Sequence, residues 1–422
     1  MEQLFYGAGE LVTADPQSIE TTSNDGQANE MLSSFHRGVG LRRTGWFTVK
    51  NGKFCRVGSG SPPQDVQSRV DLEGRLVLPG LIDCHTHPLF AGDRSAEFVA
   101  RSSGKSYADI ANEGGGILAT VSKTKNASAE ELKELTKSRL SDFLRRGVTT
   151  VEVKSGYGLS TGEELRHLKL LNEIKKESSQ TLYVTALILH AVAPPYTSPK
   201  KFATDEGLPL LESPEISELA DSVDAFIETG YFDPEATEEF FLRAKELGLD
   251  IRLHADEFSD AGAAAFAAKL GAKSADHLQF ASSDGLKKMA QKGVVATVLP
   301  GTSLYTGIPF TNARKMIDAG LTVAVATDFN PGSCAIDNLP MVASLAAVQC
   351  GLTGEEALLG VTLHAAKALG MENRKGSITP GKDADFVVHS LATAAEWIAD
   401  FGKSPPEKVF ISGKLARNSH KS

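Results

Sequence analysis

Leu76-Val-Leu-Pro-Gly-Leu-Ile-Asp-Cys-His85-Thr-His87 decides the reading of this chain. The apolar run has the length of a buried strand. Side chains alternate every two residues along an extended backbone, so His85 and His87 point to one face just beyond it. Two imidazoles on one face are half of a metal site. Three later stretches also bring ligand-type residues to the ends of apolar runs: Leu253-His254-Ala-Asp-Glu257, Ser274-Ala-Asp-His277 and Val325-Ala-Thr-Asp328.

Eight such runs can be counted outward from the first, at 76–84, 147–153, 182–189, 222–228, 249–254, 272–277, 293–299 and 321–327. Between them lie stretches with apolar residues at helical spacing, among them Ala129-Glu-Glu-Leu-Lys-Glu-Leu and Glu238-Glu-Phe-Phe-Leu-Arg-Ala. Strands alternating with helices build a parallel sheet, and eight units predict an α/β fold, a TIM-type (β/α)8 barrel. Chemistry in such barrels sits at the C-terminal strand ends, where His85, His87, His190, His254, His277 and Asp328 all fall.

Outside the barrel the chain reads as β. Trp46-Phe-Thr-Val49 and Lys53-Phe-Cys-Arg-Val57 flank Asn51-Gly52, the strongest short hairpin signal. Gly376 to Val388 and Val409 to Leu415 repeat strand and turn chemistry near the other end. The expected organisation is a small β-sandwich formed by the N- and C-terminal segments together, 1–78 and 373–422, interrupted by a barrel over 79–372. Residues 15–34, rich in Ser, Thr, Asn, Gln and Glu, are expected to form a long surface loop within a polar 15–45 segment.

A chain of 422 residues, 41% hydrophobic, has ample material for such a barrel and a smaller module. A net charge of -9 without a basic stripe disfavours nucleic acid. No apolar run approaches about 18 residues, and Met1-Glu-Gln-Leu-Phe-Tyr lacks a positive leader, so a soluble cytoplasmic protein is expected. Cys55, Cys84, Cys334 and Cys350 show no CxxC spacing and are expected as reduced thiols. Asn126-Ala-Ser128 reads as a helix-approach loop, and Gly114-Gly-Gly116, lacking the phosphate-loop lysine, as a flexible turn near the site.

Three neutral imidazoles and a carboxylate suit one divalent ion, zinc or iron, which lowers the pKa of a water that then serves as nucleophile. Glu257, three residues past His254, is placed as a general acid/base. Asp328 and His277 are the candidates for taking the water's proton and for supporting the oxyanion, in either order. A single ion is expected because the fourth run ends Phe226-Ile-Glu228 and offers no lysine. Glu228 is the alternative bridge to a second ion.

The opening Pro79-Gly-Leu-Ile-Asp-Cys-His-Thr-His87, the later histidines, Asp328 and the closing Gly376-x-Ile-x-x-Gly-x-x-Ala-Asp-x-Val resemble the amidohydrolase superfamily over nearly the whole chain. Within it, His85 to Arg94, Glu152 to Leu159, Leu253 to Glu257, Ser274 to Leu278 and Ala326 to Ser333 are similar to the branch acting in histidine degradation. That resemblance implies a metal held by His85, His87, His254 and Asp328. It implies substrate contacts from Arg94, Tyr107, Tyr157, His190, Glu257, Asn330, Gly332 and Ser333. The implied reaction opens the cyclic amide of 4-imidazolone-5-propanoate to N-formimidoyl-L-glutamate, in an enzyme that is often a homodimer. Two rival readings are a related enzyme that deaminates a heterocyclic base, which has no need of a guanidinium at Arg94, and a scaffold that retains only the barrel.

Overall fold

In the computed structural model, which describes residues 1–15, 30–105 and 115–419 (the side chains of 30–33 excepted), the run expected as one strand over 76–84 is divided at Gly80. A Cβ there would lie 2.2 Å from the Thr149 hydroxyl, so only glycine lets the backbone pass. The half before Gly80 joins a sheet built from the chain ends, and the half after it is the first barrel strand.

The N-terminal strands are β1 (Gln3–Val12), β2 (Leu41–Lys50), β3 (Lys53–Ser59), β4 (Ser68–Asp71) and β5 (Leu76–Pro79). The barrel comprises β6 (Leu81–Asp83), β7 (Val148–Lys154), β8 (Thr181–Leu189), β9 (Ser222–Ile227), β10 (Asp250–Ala255), β11 (Ser274–His277), β12 (Val295–Val298) and β13 (Val323–Val325). The chain closes with β14 (Phe386–His389), β15 (Lys408–Ile411) and β16 (Lys414–Asn418).

The first and last groups form one sheet in the order β16-β15-β14-β5-β1-β2-β3, with β4 beside β1. Phe47 on β2 and Phe386 on β14 are separated by β5 and β1 in that order, yet their rings meet at 4.9 Å. Phe5 packs on both at 5.2 and 5.0 Å. The sheet therefore folds across itself around an aromatic core, which gives the terminal module its sandwich character. The Asn51-Gly52 turn forms as read, with φ of 52° and 76°, joining Lys50 to its partner Lys53.

The expected loop over 15–34 is corrected at its C-terminal end. Glu30–Gly38 is a helix, whose Phe35 is buried together with Val39 four residues on, and β2 begins at Leu41. Two apolar residues at helical spacing supply the packing face that the polar composition concealed. Residues 16–29 lie outside the described residues.

Strands β6 to β13 are parallel neighbours in chain order. The seam between the first and last is closed beyond the strands, where Asp328 N donates to His85 O (3.0 Å) and His87 N to Phe329 O (2.8 Å). Asp83 reinforces it by accepting from the Thr327 amide and hydroxyl at 3.1 and 2.7 Å. Closing the barrel is thus what brings the His85–His87 pair beside Asp328. Surrounding helices are capped as their sequences specify: Ser128 caps Ala129–Arg145, accounting for the Asn126-Ala-Ser128 triplet, and Asp233 caps Pro234–Glu246.

Candidate active site

Three strand ends deliver the imidazoles and the carboxylate. The Nε2 atoms of His85 and His254 lie 3.1 Å apart, and those of His254 and His87 3.3 Å. Asp328 Oδ1 is 3.5 Å from Nε2 of both His85 and His87. Ligands about 2.1 Å from a common ion stand roughly 3.0–3.4 Å from one another, so the cluster has the spacing one ion requires. A ring nitrogen of His277 lies within 4.8 Å of His85 and Asp328 as well.

Burial keeps the rings of His85 and His87 neutral. It holds His85 well below the ordinary histidine range, helped by Lys154 and the adjoining imidazoles, and does the same for His87, helped by His254. The tautomers of His85 and His254 are set by partners that can only accept. His85 Nδ1 lies 2.7 Å from Asp276 Oδ2 and His254 Nδ1 2.9 Å from Asp224 Oδ2. Each Nδ1 therefore carries the proton, and each Nε2 turns its lone pair inward. Asp328 is oriented by Thr302, whose hydroxyl donates to Oδ2 at 2.6 Å and leaves Oδ1 facing the histidines.

Behind the rings lies a buried charge network that sequence reading does not assign to the site. Lys154 Nζ reaches Asp224 Oδ2 at 2.8 Å and Glu152 Oε1 at 2.6 Å, while Arg252 reaches Asp276 at 3.1 Å. Glu152 also accepts from the Thr86 amide, between the two histidines, at 3.1 Å. Buried Asp224, Asp276 and Glu152 face buried Lys154 and Arg252, and buried Asp328 faces the histidines, so these six groups carry a formal excess of two negative charges. Uncompensated buried charge is costly, and one divalent cation among the imidazoles would offset it. The signal is present as Glu152-Val-Lys154, two charges on one face of an otherwise apolar strand.

A cavity of about 610 Å3 opens over the cluster, lined by His87, Arg94, Tyr157, His190, His254, Glu257, His277, Asp328, Asn330, Gly332 and Ser333, and by Arg101, Phe226, Tyr231 and Phe258, which the sequence motifs do not single out. The structure thus brings every expected site residue together except Tyr107, which lies outside the described residues. Glu257 is buried, and desolvation, with Asp328 and Glu228 nearby, holds its carboxyl well above the usual range. His277 Nδ1 stands 3.7 Å from Glu257 Oε1, and burial pushes this imidazole down to about 3. His190 Nδ1 pairs with the Gly156 carbonyl at 3.0 Å, so its Nε2 is an acceptor.

Two expected contacts are already engaged within the protein. Arg94 grips Glu97 Oε2 through Nε and Nη2 at 2.9 and 2.7 Å, and its Nη1 packs against Gly332, where a Cβ would come within 1.8 Å. Asn330 spends its amide on the loop, accepting from the Gly332 and Ser333 amides at 2.9 and 2.8 Å and donating to Asp328 O at 2.7 Å. Glu228, the alternative bridge, binds the Thr229 and Phe258 amides at 2.8 Å each, together with the Ser259 hydroxyl. Its carboxylate pins the loop after Glu257.

A profile of the amidohydrolase family matches residues 76–416. The imidazolonepropionase of Bacillus cytotoxicus is 42% identical over 371 residues, covering 87% of this chain and 88% of its own. The imidazolonepropionase of Symbiobacterium thermophilum is 39% identical over 437 aligned positions, 98% and 97% of the two chains. The chain belongs to the imidazolonepropionase family of amidohydrolases. Membership makes it a hydrolase and agrees with a His/Asp cluster able to hold a metal. A triazine hydrolase variant superposes on this imidazolonepropionase-family fold with a TM-score of 0.76 at 17% identity, covering 99% of this chain and 95% of the other, which bears on the fold alone. Among the described residues no helix is long and apolar enough to cross a membrane.

Proposed function

We infer that this chain hydrolyses the cyclic amide of 4-imidazolone-5-propanoate, giving N-formimidoyl-L-glutamate. One observation carries the reading: His87, His254 and Asp328, which cluster with His85, line the same cavity as the cationic wall of Arg94 and Arg101. A divalent ion held by those four residues, zinc or iron, supplies Lewis acidity and acidifies water.

The remaining roles belong to the chain's own groups. Water adds across the ring C–N bond, its hydroxyl passing to the carbonyl carbon and a proton to the departing nitrogen. Asp328, with Oδ2 fixed by Thr302, presents Oδ1 as acceptor of the water's proton. Glu257, whose carboxyl burial holds well above the usual carboxylate range, delivers a proton to the ring nitrogen. His277 supports the developing oxyanion. His190 Nε2 accepts from a ring N–H, Tyr157 closes the wall beside it at 5.5 Å between rings, and Arg94 and Ser333 face the propionate. A homodimer with one ion per chain, working in the cytoplasm without nucleic acid or membrane, completes the proposal. The same reading divides the chain into 1–78, 79–372 and 373–422, and the change of sheet at Gly80 and the return of the chain to β14 support it.

The test is incubation of purified, metal-quantified protein with imidazolonepropionate, following loss of ultraviolet absorbance and appearance of formimidoylglutamate. Turnover of a neutral heterocyclic base with release of ammonia, and none of the propionate, would establish the deaminase reading instead.

A further inference from the structure

We propose that Arg101 is a specificity-determining residue of this cavity, the one that supplies the uncompensated positive charge selecting a substrate with an anionic tail. The proposal rests on the functional reading above and adds a second guanidinium to the substrate contacts expected from the sequence.

The two guanidiniums differ in their partners. A guanidinium receives a carboxylate side-on through the edge that carries Nε and Nη2. On Arg94 that edge is filled by Glu97 Oε2 at 2.9 and 2.7 Å. The Glu97 carboxyl is anchored in turn by the Gly116 amide at 3.1 Å on Oε1. The Arg94–Glu97 pair is therefore neutral as a unit and offers a distant carboxylate little net attraction.

Arg101, at the end of the helix Ser95–Ser102, has no such partner among the described residues. Its Nη1 donates to the Gly332 carbonyl at 3.1 Å, and its guanidinium lies over the Tyr305 ring at 5.4 Å. Its Nε and Nη2 are enclosed and without a hydrogen-bond partner, and among the described residues no carboxylate pairs with it. An enclosed guanidinium is poorly screened, so its charge acts at close to full strength on the cavity it lines. Lys105, the other cation of that wall, is exposed and is screened by solvent. The carboxylates lining the same cavity are turned elsewhere: Glu257 Oε1 stands 3.7 Å from His277 Nδ1, and Asp328 faces the histidine cluster. Gly332, whose carbonyl accepts from Arg101 Nη1, also lies against Arg94 Nη1, so the two guanidiniums flank one turn. A propionate arriving there meets one neutralised and one unneutralised guanidinium.

The experiment compares Arg101→Gln, Arg101→Lys and the unsubstituted enzyme, each loaded with metal. One readout is KM and kcat for imidazolonepropionate. The other is calorimetric binding of imidazole-4-propionate and of its neutral amide, imidazole-4-propionamide, which reports on the cavity whether or not the reaction assignment holds. The expected result is at least a tenfold loss of propionate binding and a comparable rise in KM for Arg101→Gln. The amide should bind within twofold of its original affinity, and Arg101→Lys should recover most of the loss. Equal losses for acid and amide, an unchanged Arg101→Gln, or an unsubstituted enzyme that binds the acid no better than the amide would each overturn the proposal. Absence of turnover by the unsubstituted enzyme with charge-selective binding intact would overturn the reaction assignment and leave Arg101's role standing.

Discussion

Gly332→Ala perturbs substrate recognition at a single point. The added Cβ would lie 1.8 Å from Arg94 Nη1, 2.5 Å from Cζ and 3.2 Å from Nε. Ordinary contact is about 3.5 Å, so the guanidinium must retreat by about 1.7 Å. The atoms in the way form the end of a flexible side chain, so the fold accommodates the methyl at little cost, but the Arg94–Glu97 grip at 2.7–2.9 Å cannot survive a shift of that size. The atom displaced first is Nη1, which lies outside the Glu97 pair; a charge-assisted hydrogen bond from it to a substrate carboxylate is worth roughly 1.5–3 kcal/mol, and its loss should lower kcat/KM by about 10- to 150-fold. The assay is steady-state ring opening by metal-quantified Gly332→Ala, with the melting temperature measured in parallel. Metal content should be unchanged, because the atoms that the new methyl meets belong to Arg94 and to none of the four inward-facing groups. A kcat/KM within twofold of the original would refute the placement of the substrate tail beside Arg94 and Gly332.

Asp224→Asn keeps the size of the group that orients His254 but removes the charge shared with Lys154; metal affinity in a chelator competition should fall by about 10- to 100-fold, and an unaltered affinity would show that the contact is incidental. Glu257→Gln should retain metal and lower the catalytic rate by about 100-fold, with near-normal turnover arguing against proton delivery from this carboxyl. His167 is buried with both ring nitrogens unpartnered, and burial pushes it down to about 4 from an unfolded value near 6.5. The unfolded chain then binds the extra proton between those values, so this group's contribution is intact above pH 6.5 and is lost as pH falls through about 4. That amounts to about 2 kcal/mol by pH 5. His167→Leu should flatten the acid limb of urea stability between pH 7 and 5, and an equally steep limb would count against it.

The sequence by itself determined what depends on local period and short-range chemistry. His85 and His87 share a face because strands alternate, β2 and β3 join because Asn51-Gly52 accepts positive φ at both residues, and ligand residues at strand ends mark one rim of a parallel barrel. A polar average over 15–45 hid the Glu30–Gly38 helix, since composition blurs a pattern carried by Phe35 within it and Val39 just past its end. An unbroken apolar run likewise hid the change of sheet at Gly80, a position where the side chain of Thr149, remote in sequence, leaves no room for a Cβ. Only the tertiary structure decided which charges meet. Asp224 and Lys154 stand 70 residues apart and Asp276 and His85 191 apart, and nothing in either local sequence names the partner. The same holds within the cavity, where Arg94 and Arg101 are equivalent residue types on one short segment. The position of a single carboxylate, Glu97, neutralises the first and leaves the second charged, because Coulomb attraction depends on distance in the folded chain and not on order along it.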